Sequence, residues 1–134
     1  MRFAWIVVLA LVACDDHPAK QQHADVRVTS IERLGDSDRG EMISLTGTVS
    51  TIEARKLHEE LRVNFRLSHG GRDVVVVTKG VLPEMFRERV TARVIGRWVA
   101  TRTVREDLDR EGFTSVTSED VFLARDVIVE PPEF

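Results

Sequence analysis

Between Leu61 and Ser68 the chain alternates without a break. Leu61, Val63, Phe65 and Leu67 are apolar, and Arg62, Asn64, Arg66 and Ser68 are polar. A pleated strand with this pattern buries one face and wets the other. His69-Gly70-Gly71 follows, and paired glycines supply the positive φ of a tight hairpin turn. Residues 73–78 are then expected to pair back antiparallel. Their valine run, Val74 to Val77, does not alternate, which predicts protein on both of its faces. After Gly80, Pro83 suits the first turn of a helix and Glu84 its positive end. Val81, Leu82, Met85 and Phe86 would then share one face, as a short apolar plug. Val90, Ala92 and Val94 resume the alternation with Thr91, Arg93 and Ile95, and the strand runs through Gly96, where a bend is expected, to Trp98.

The flanking stretches carry weaker patterns. Ser30 is placed to cap a helical turn reaching Leu34. Residues 35–40 read as a turn-rich loop; its aspartates superficially suggest a calcium loop, but the bidentate glutamate and the remaining spacing are missing. Residues 41–52 predict a long first strand with Ile43, Leu45, Gly47 and Val49 on one face and Gly47 placed for a bend. Residues 53–60 hold Arg55, Lys56, His58, Glu59 and Glu60 and are expected to be an exposed connection. Residues 100–120 predict a charged insertion, a longer hairpin or a helix, with Thr103 and Glu106 spaced as a capping box. The final strand is Phe122 to Glu130. The total is five main strands in one domain, since 134 residues suffice for one core and are too few for two.

The N-terminus has a different character. Arg2 supplies a positive charge, residues 3–10 form a short apolar run, and Leu11-Val12-Ala13-Cys14 closes it. A run this short beside a small-residue processing site predicts a secretory signal rather than a spanning helix. Leu-x-Ala-Cys resembles the bacterial lipoprotein signal, in which the cysteine is lipidated and becomes the first mature residue. Lipidation also accounts for a lone exported cysteine with no pairing partner. The expected division is residues 1–13 as signal peptide, residues 14–25 as lipidated cysteine and flexible tether, and residues 26–134 as the folded domain. Asp15 after Cys14 resembles the inner-membrane retention signal of some enterobacterial lipoproteins. His17 and His23 in the tether fit no usual metal-ligand spacing.

Charge narrows the partner class. The formal net charge is −3, there is no tyrosine and aromatics are only 6% of residues. Nucleic-acid binding depends on phosphate neutralisation and base stacking, and this composition favours neither. No carboxylate pair, nucleophile with its base, phosphate loop or metal constellation of recognisable spacing is present, so no enzyme is predicted.

Four segments together carry a family resemblance: Gly47-Thr48-Val49, Val63-Asn64-Phe65-Arg66-Leu67, Gly80-Val81-Leu82-Pro83-Glu84-Met85-Phe86-Arg87-Glu88 and Gly96. The chain from Leu45 onward resembles CcmE, the periplasmic haem chaperone of cytochrome c maturation. The resemblance implies an all-β fold, a small five-stranded OB-type Greek-key barrel, with the short helix lying between the third and fourth strands. Phe122-Leu123-Ala124-Arg125-Asp126-Val127-Ile128-Val129-Glu130 resembles the family's last strand. In the family the next residue is a histidine that bonds covalently to a haem vinyl group, with an iron-ligating tyrosine four residues on. Here Pro131 takes the histidine's place, and the given sequence stops at Phe134, short of the tyrosine's place.

Two functions follow from this reading. One is a binding or assembly module tethered to the exported face of a bacterial membrane, the inner one favoured, and contacting a protein in envelope or cytochrome assembly without covalent haem. The other is a non-covalent haem carrier in cytochrome c biogenesis. Trp98, Phe122 and Phe134 would form its apolar patch, and His58 or His69 its axial ligand. The bland alternative for Trp98 and Phe122 is that both are core.

Overall fold

The computed structural model describes residues 26–131. Its strands are β1 (Arg27–Val28), β2 (Met42–Leu57), β3 (Glu60–His69), β4 (Arg72–Lys79), β5 (Thr91–Ala100) and β6 (Asp120–Val129), with a short helix α1 (Arg105–Arg110) before the last. β2 pairs antiparallel with β3 along one edge and with β5 along the other. β4 lies antiparallel to β3 and meets β6 in parallel at Val76–Phe122 and Val77–Leu123, and β6 returns antiparallel to β5. Strands β2 to β6 therefore close on themselves as a five-stranded OB-type barrel, and β1 adds two residues parallel to the start of β2. No helix among the described residues is long and apolar enough to cross a membrane.

The alternating strand behaves as its pattern demands. Val63, Phe65 and Leu67 are at most 1% exposed and point into the barrel, while Arg66 faces solvent. Gly70 and Gly71 have φ of 62° and 84°, the pair of positive values that a two-residue hairpin between twisted strands needs. The valine run does have protein on both sides. Val74 and Val76 belong to the barrel interior, and Val75 and Val77 pack against a second apolar cluster on the outer surface.

Two glycines allow strands to approach more closely than a side chain would permit. A Cβ at Gly47 would lie 2.7 Å from the Ser68 carbonyl oxygen, and one at Gly96 would lie 2.1 Å from that of Leu123. At Gly96 the β5–β6 register also shifts, so the expected bend is a bulge.

The structure corrects three local expectations. Residues 53–60 are mostly strand rather than a connection: β2 shifts register between Ser50 and Glu53, with Thr51 at φ 52°, and its outer end pairs with β3 as a hairpin turning at His58-Glu59. The polar composition reflects the exposure of the β2 side of this outer ribbon, Glu53–Lys56, while its partner strand buries Arg62.

The expected helix between the third and fourth barrel strands is absent. Residues 81–90 form turns, with one backbone bond inside the segment, from Phe86 N–H to the Pro83 carbonyl. Leu82 and Phe86 do pack on the core, Phe86 edge-on to Phe65 at a centroid distance of 4.9 Å, but Val81 is 99% exposed and Met85 57%. One turn cannot bring four apolar side chains to one face. The fold's helix is α1, inside the 100–120 insertion. It begins without a capping box: Thr103 Oγ1 donates to the Ala100 carbonyl instead.

The insertion is ordered against the barrel's outer wall. Leu108, Phe113 and Val116 join Val77 and Val121 in the second apolar cluster. Arg62, only 6% exposed, pins the end of α1: its Nε donates to the Glu111 carbonyl at 3.1 Å and its Nη2 to the Glu111 carboxylate at 2.7 Å. The charged composition of the insertion thus includes a specific clamp. Partial desolvation alone would raise the Glu111 pKa, but the hydrogen bond from Arg62 and the charges of Lys79 and Arg62 outweigh it, and the net shift is downward from 4.5.

Three outcomes are expected. A depressed carboxyl pKa contributes stability above the unfolded value, and this is lost as pH falls through the folded value. Glu111→Gln should therefore flatten the acid limb of the stability profile below pH 4.5, measured by urea unfolding across pH. Phe86→Ala should cost about 3 kcal/mol, the low end for phenylalanine because the ring is only partly buried. Gly96→Ala should cost about 1–3 kcal/mol by forcing β5 from β6. An unchanged urea midpoint for either substitution would contradict the packing described.

Candidate functional site

The β6 strand ends at Val129; Glu130 N–H still bonds the Thr91 carbonyl of β5 at 2.8 Å, and Pro131 follows directly. At this end of the barrel lies an open groove of about 1260 Å³. One wall is the end of β6, with Val127, Val129 and Pro131. The opposite wall is the turn segment between β4 and β5, with Pro83, Met85 and Val90. The floor crosses β2 at Thr46, Gly47 and Thr48, and His69 enters from the β3–β4 hairpin.

His69 is oriented. It is the last residue of β3, and its Nδ1 lies 2.9 Å from Glu32 Oε1, on the short 3₁₀ turn Ile31–Arg33. A carboxylate only accepts, so Nδ1–H is the donor, and in the neutral ring the lone pair is then on Nε2. Ile31 holds the turn in place because it is fully buried, and Arg72 clamps the same turn by donating to the Ile31 carbonyl at 3.1 Å and the Leu34 carbonyl at 2.9 Å. Gly70 completes the arrangement, since a Cβ there would fall 1.9 Å from Glu32 Oε2.

The remaining residues singled out from the sequence separate. Trp98 and Phe122 are 3% and 0% exposed and face each other as register partners across β5 and β6, so they are core and form no ligand surface. Strand alternation places both inside the barrel. The Trp98 ring is capped by Arg39, whose guanidinium carbon sits 4.3 Å from the ring centroid and whose Nη1 reaches Asp120 at 2.6 Å. His58 occupies the β2–β3 turn at φ 54°, exposed, and is not among the groove's lining residues. Cys14 and Phe134 lie outside the described residues, as do the signal and tether. Among the described residues of the predicted set, His69 and the family position Pro131 are the two that line this groove.

The groove also contains residues that sequence patterns do not single out. Arg87 and Arg89 line it beside Glu84 and Glu130, and Glu130 is paired with Arg93 at 3.3 Å. Nothing in the primary order connects Glu32 to His69. Asp38, in the loop with a superficial calcium pattern, is 7% exposed and takes hydrogen bonds from Arg27 at 2.6 Å and Gly35 N–H at 2.9 Å, a structural role. No group of three or more His, Cys, Asp or Glu able to hold a bare metal ion is found among the described residues.

Comparison with known proteins agrees with this architecture. The family model described as the CcmE domain matches residues 23–133. Over 80 residues the chain is 28% identical to the cytochrome c-type biogenesis protein CcmE of Stutzerimonas stutzeri (strain A1501). The match covers 59% of this chain and 52% of that protein, about half the relative's length.

Proposed function

We propose that this chain, which belongs to the CcmE family, handles haem non-covalently in cytochrome c maturation. In this reading it is a carrier rather than an enzyme, held on the exported face of a bacterial membrane by a lipidated Cys14. The observation that carries the reading is the meeting of Pro131 and His69 in one groove. The strand end to which the resemblance assigns covalent attachment opens onto that groove but bears a proline, which offers no nitrogen nucleophile. The imidazole comes instead from the neighbouring hairpin.

The residues present fit the group. A groove of about 1260 Å³ with apolar walls from Met85, Val127 and Val129 is roomy enough for a macrocycle. A porphyrin would itself supply four of the donors to its iron, so the oriented imidazole of His69 would be enough to hold it where a bare metal would need more protein ligands. Glu32 holds the ring in one orientation, as outer-shell carboxylates do for metal-binding histidines. A second reading, a protein-binding module in envelope or cytochrome assembly, is favoured by Val81 and Met85, which are 99% and 57% exposed on the segment forming one wall of the groove. An apolar ledge there suits a partner that delivers or receives the ligand, and the two readings are compatible.

Titration of the chain with haem should give saturable binding with a Soret band, and a denaturing gel stained for haem should be blank. Stained protein would overturn the non-covalent assignment, and absence of saturable binding would leave the protein-module reading. His69→Ala should remove the ligation signature, and Glu32→Gln should weaken haem affinity roughly tenfold. Cys14→Ala should release the chain from membranes; continued sedimentation with them would exclude lipid anchoring.

A further inference from the structure

Arg89 stands where its backbone least suits it. Its φ is 79°, in the left-handed region that glycine adopts freely and side-chain-bearing residues resist. The conformation is imposed from outside: Arg89 N–H donates to the Val49 carbonyl at 2.8 Å, and Val49 N–H donates to the Val90 carbonyl at 2.9 Å. These two bonds lock the segment onto β2, and a glycine would satisfy both with less strain. An arginine at such a position points to a use for its side chain.

The surroundings indicate what that use is. Arg87 and Arg89 both line the groove, and neither has a carboxylate within ion-pair distance among the described residues. The competing acids are few. Glu130 is engaged by Arg93 at 3.3 Å, which leaves Glu84 as the other carboxylate of the lining. His69 is held by Glu32 and is not offered to an anion. The groove is therefore apolar along Met85, Val127 and Val129 and carries two unpaired guanidinium groups, each able to grip a carboxylate through two parallel N–H donors. That combination fits a flat apolar molecule bearing carboxylates.

We infer that Arg89, together with Arg87, is the carboxylate-recognising element of the groove. It selects porphyrins with free acid side chains over those whose acids are capped. This inference rests on the porphyrin reading of the groove and adds the chemical feature of the ligand that is recognised. It also assigns the backbone strain at Arg89 a function, with stability given up for selectivity.

The test uses metal-free protoporphyrin IX and its dimethyl ester, so that iron ligation by His69 plays no part. Binding to the full chain in detergent is followed by porphyrin fluorescence, with protein-free micelles as the reference. The free acid should bind roughly tenfold more tightly than the ester, the scale of one charge-assisted pair. Arg89→Gly should erase most of that preference and at the same time raise the thermal midpoint, because the strained φ is relieved. Arg87→Gln should reduce the preference without the rise in midpoint. If wild type binds acid and ester equally, or Arg89→Gly keeps the full preference, the carboxylate assignment fails while the porphyrin groove stands. If neither compound binds, both the groove reading and this inference fall.

Discussion

β2 is bonded on both of its edges, and the barrel exists because of that. Its first half, Met42–Thr48, pairs with β5 and its second, Thr48–Leu57, with β3. For the ring β2–β3–β4–β6–β5 to close, β2 must bend and let its neighbours come close. At Gly47 the Ser68 carbonyl already occupies the space that a Cβ would need, with the oxygen only 2.7 Å from where it would lie. Gly96 performs the same service between β5 and β6, where the register shifts. Sheet closure removes the exposed edges that a small β domain would otherwise present, and the inner side chains fill the space so created.

The groove is a consequence of this closure. Once β6 is held between β4 and β5, its last residues are delivered to the barrel rim beside the β4–β5 connection and the β3–β4 hairpin. Three segments far apart in sequence thereby share one surface. The insertion 100–120 is spent elsewhere: its apolar residues seal the outer wall over Val77 and Val121, and the Arg62–Glu111 clamp keeps it there. The groove and the insertion are thus separate products of one scaffold, and the charged insertion forms none of the groove's lining.

In the proposed function, the difference from the haem-attaching pattern is a change of where the imidazole comes from. A histidine following the last strand would lie beyond the end of β6 at Val129. His69 instead belongs to a strand end and is tied to Glu32, whose 3₁₀ turn is anchored by Ile31 and Arg72. A rigid ligand suits reversible, ligation-controlled holding, whereas a covalent bond suits capture. The exposed Val81 and Met85 beside the groove suit hand-over to another protein.

The sequence by itself determined the strands and the hairpin at Gly70-Gly71, because period-two alternation and paired glycines are local signals that need no partner to be read. It also carried the family resemblance and the proline at the attachment position. It misjudged residues 53–60 and 81–90, where the outcome depends on pairing with β3 and on packing against Phe65 rather than on composition. Only the tertiary structure decided which aromatic residues are core and which residues form the site. For Trp98 and Phe122 the sequence leaves open both a ligand patch and the commoner fate of core, and the structure buries both. His69, Glu32, Arg89 and Pro131 become neighbours of one groove, or of one another, only through barrel closure. Their proximity comes from long-range pairing, and no spacing along the chain encodes it.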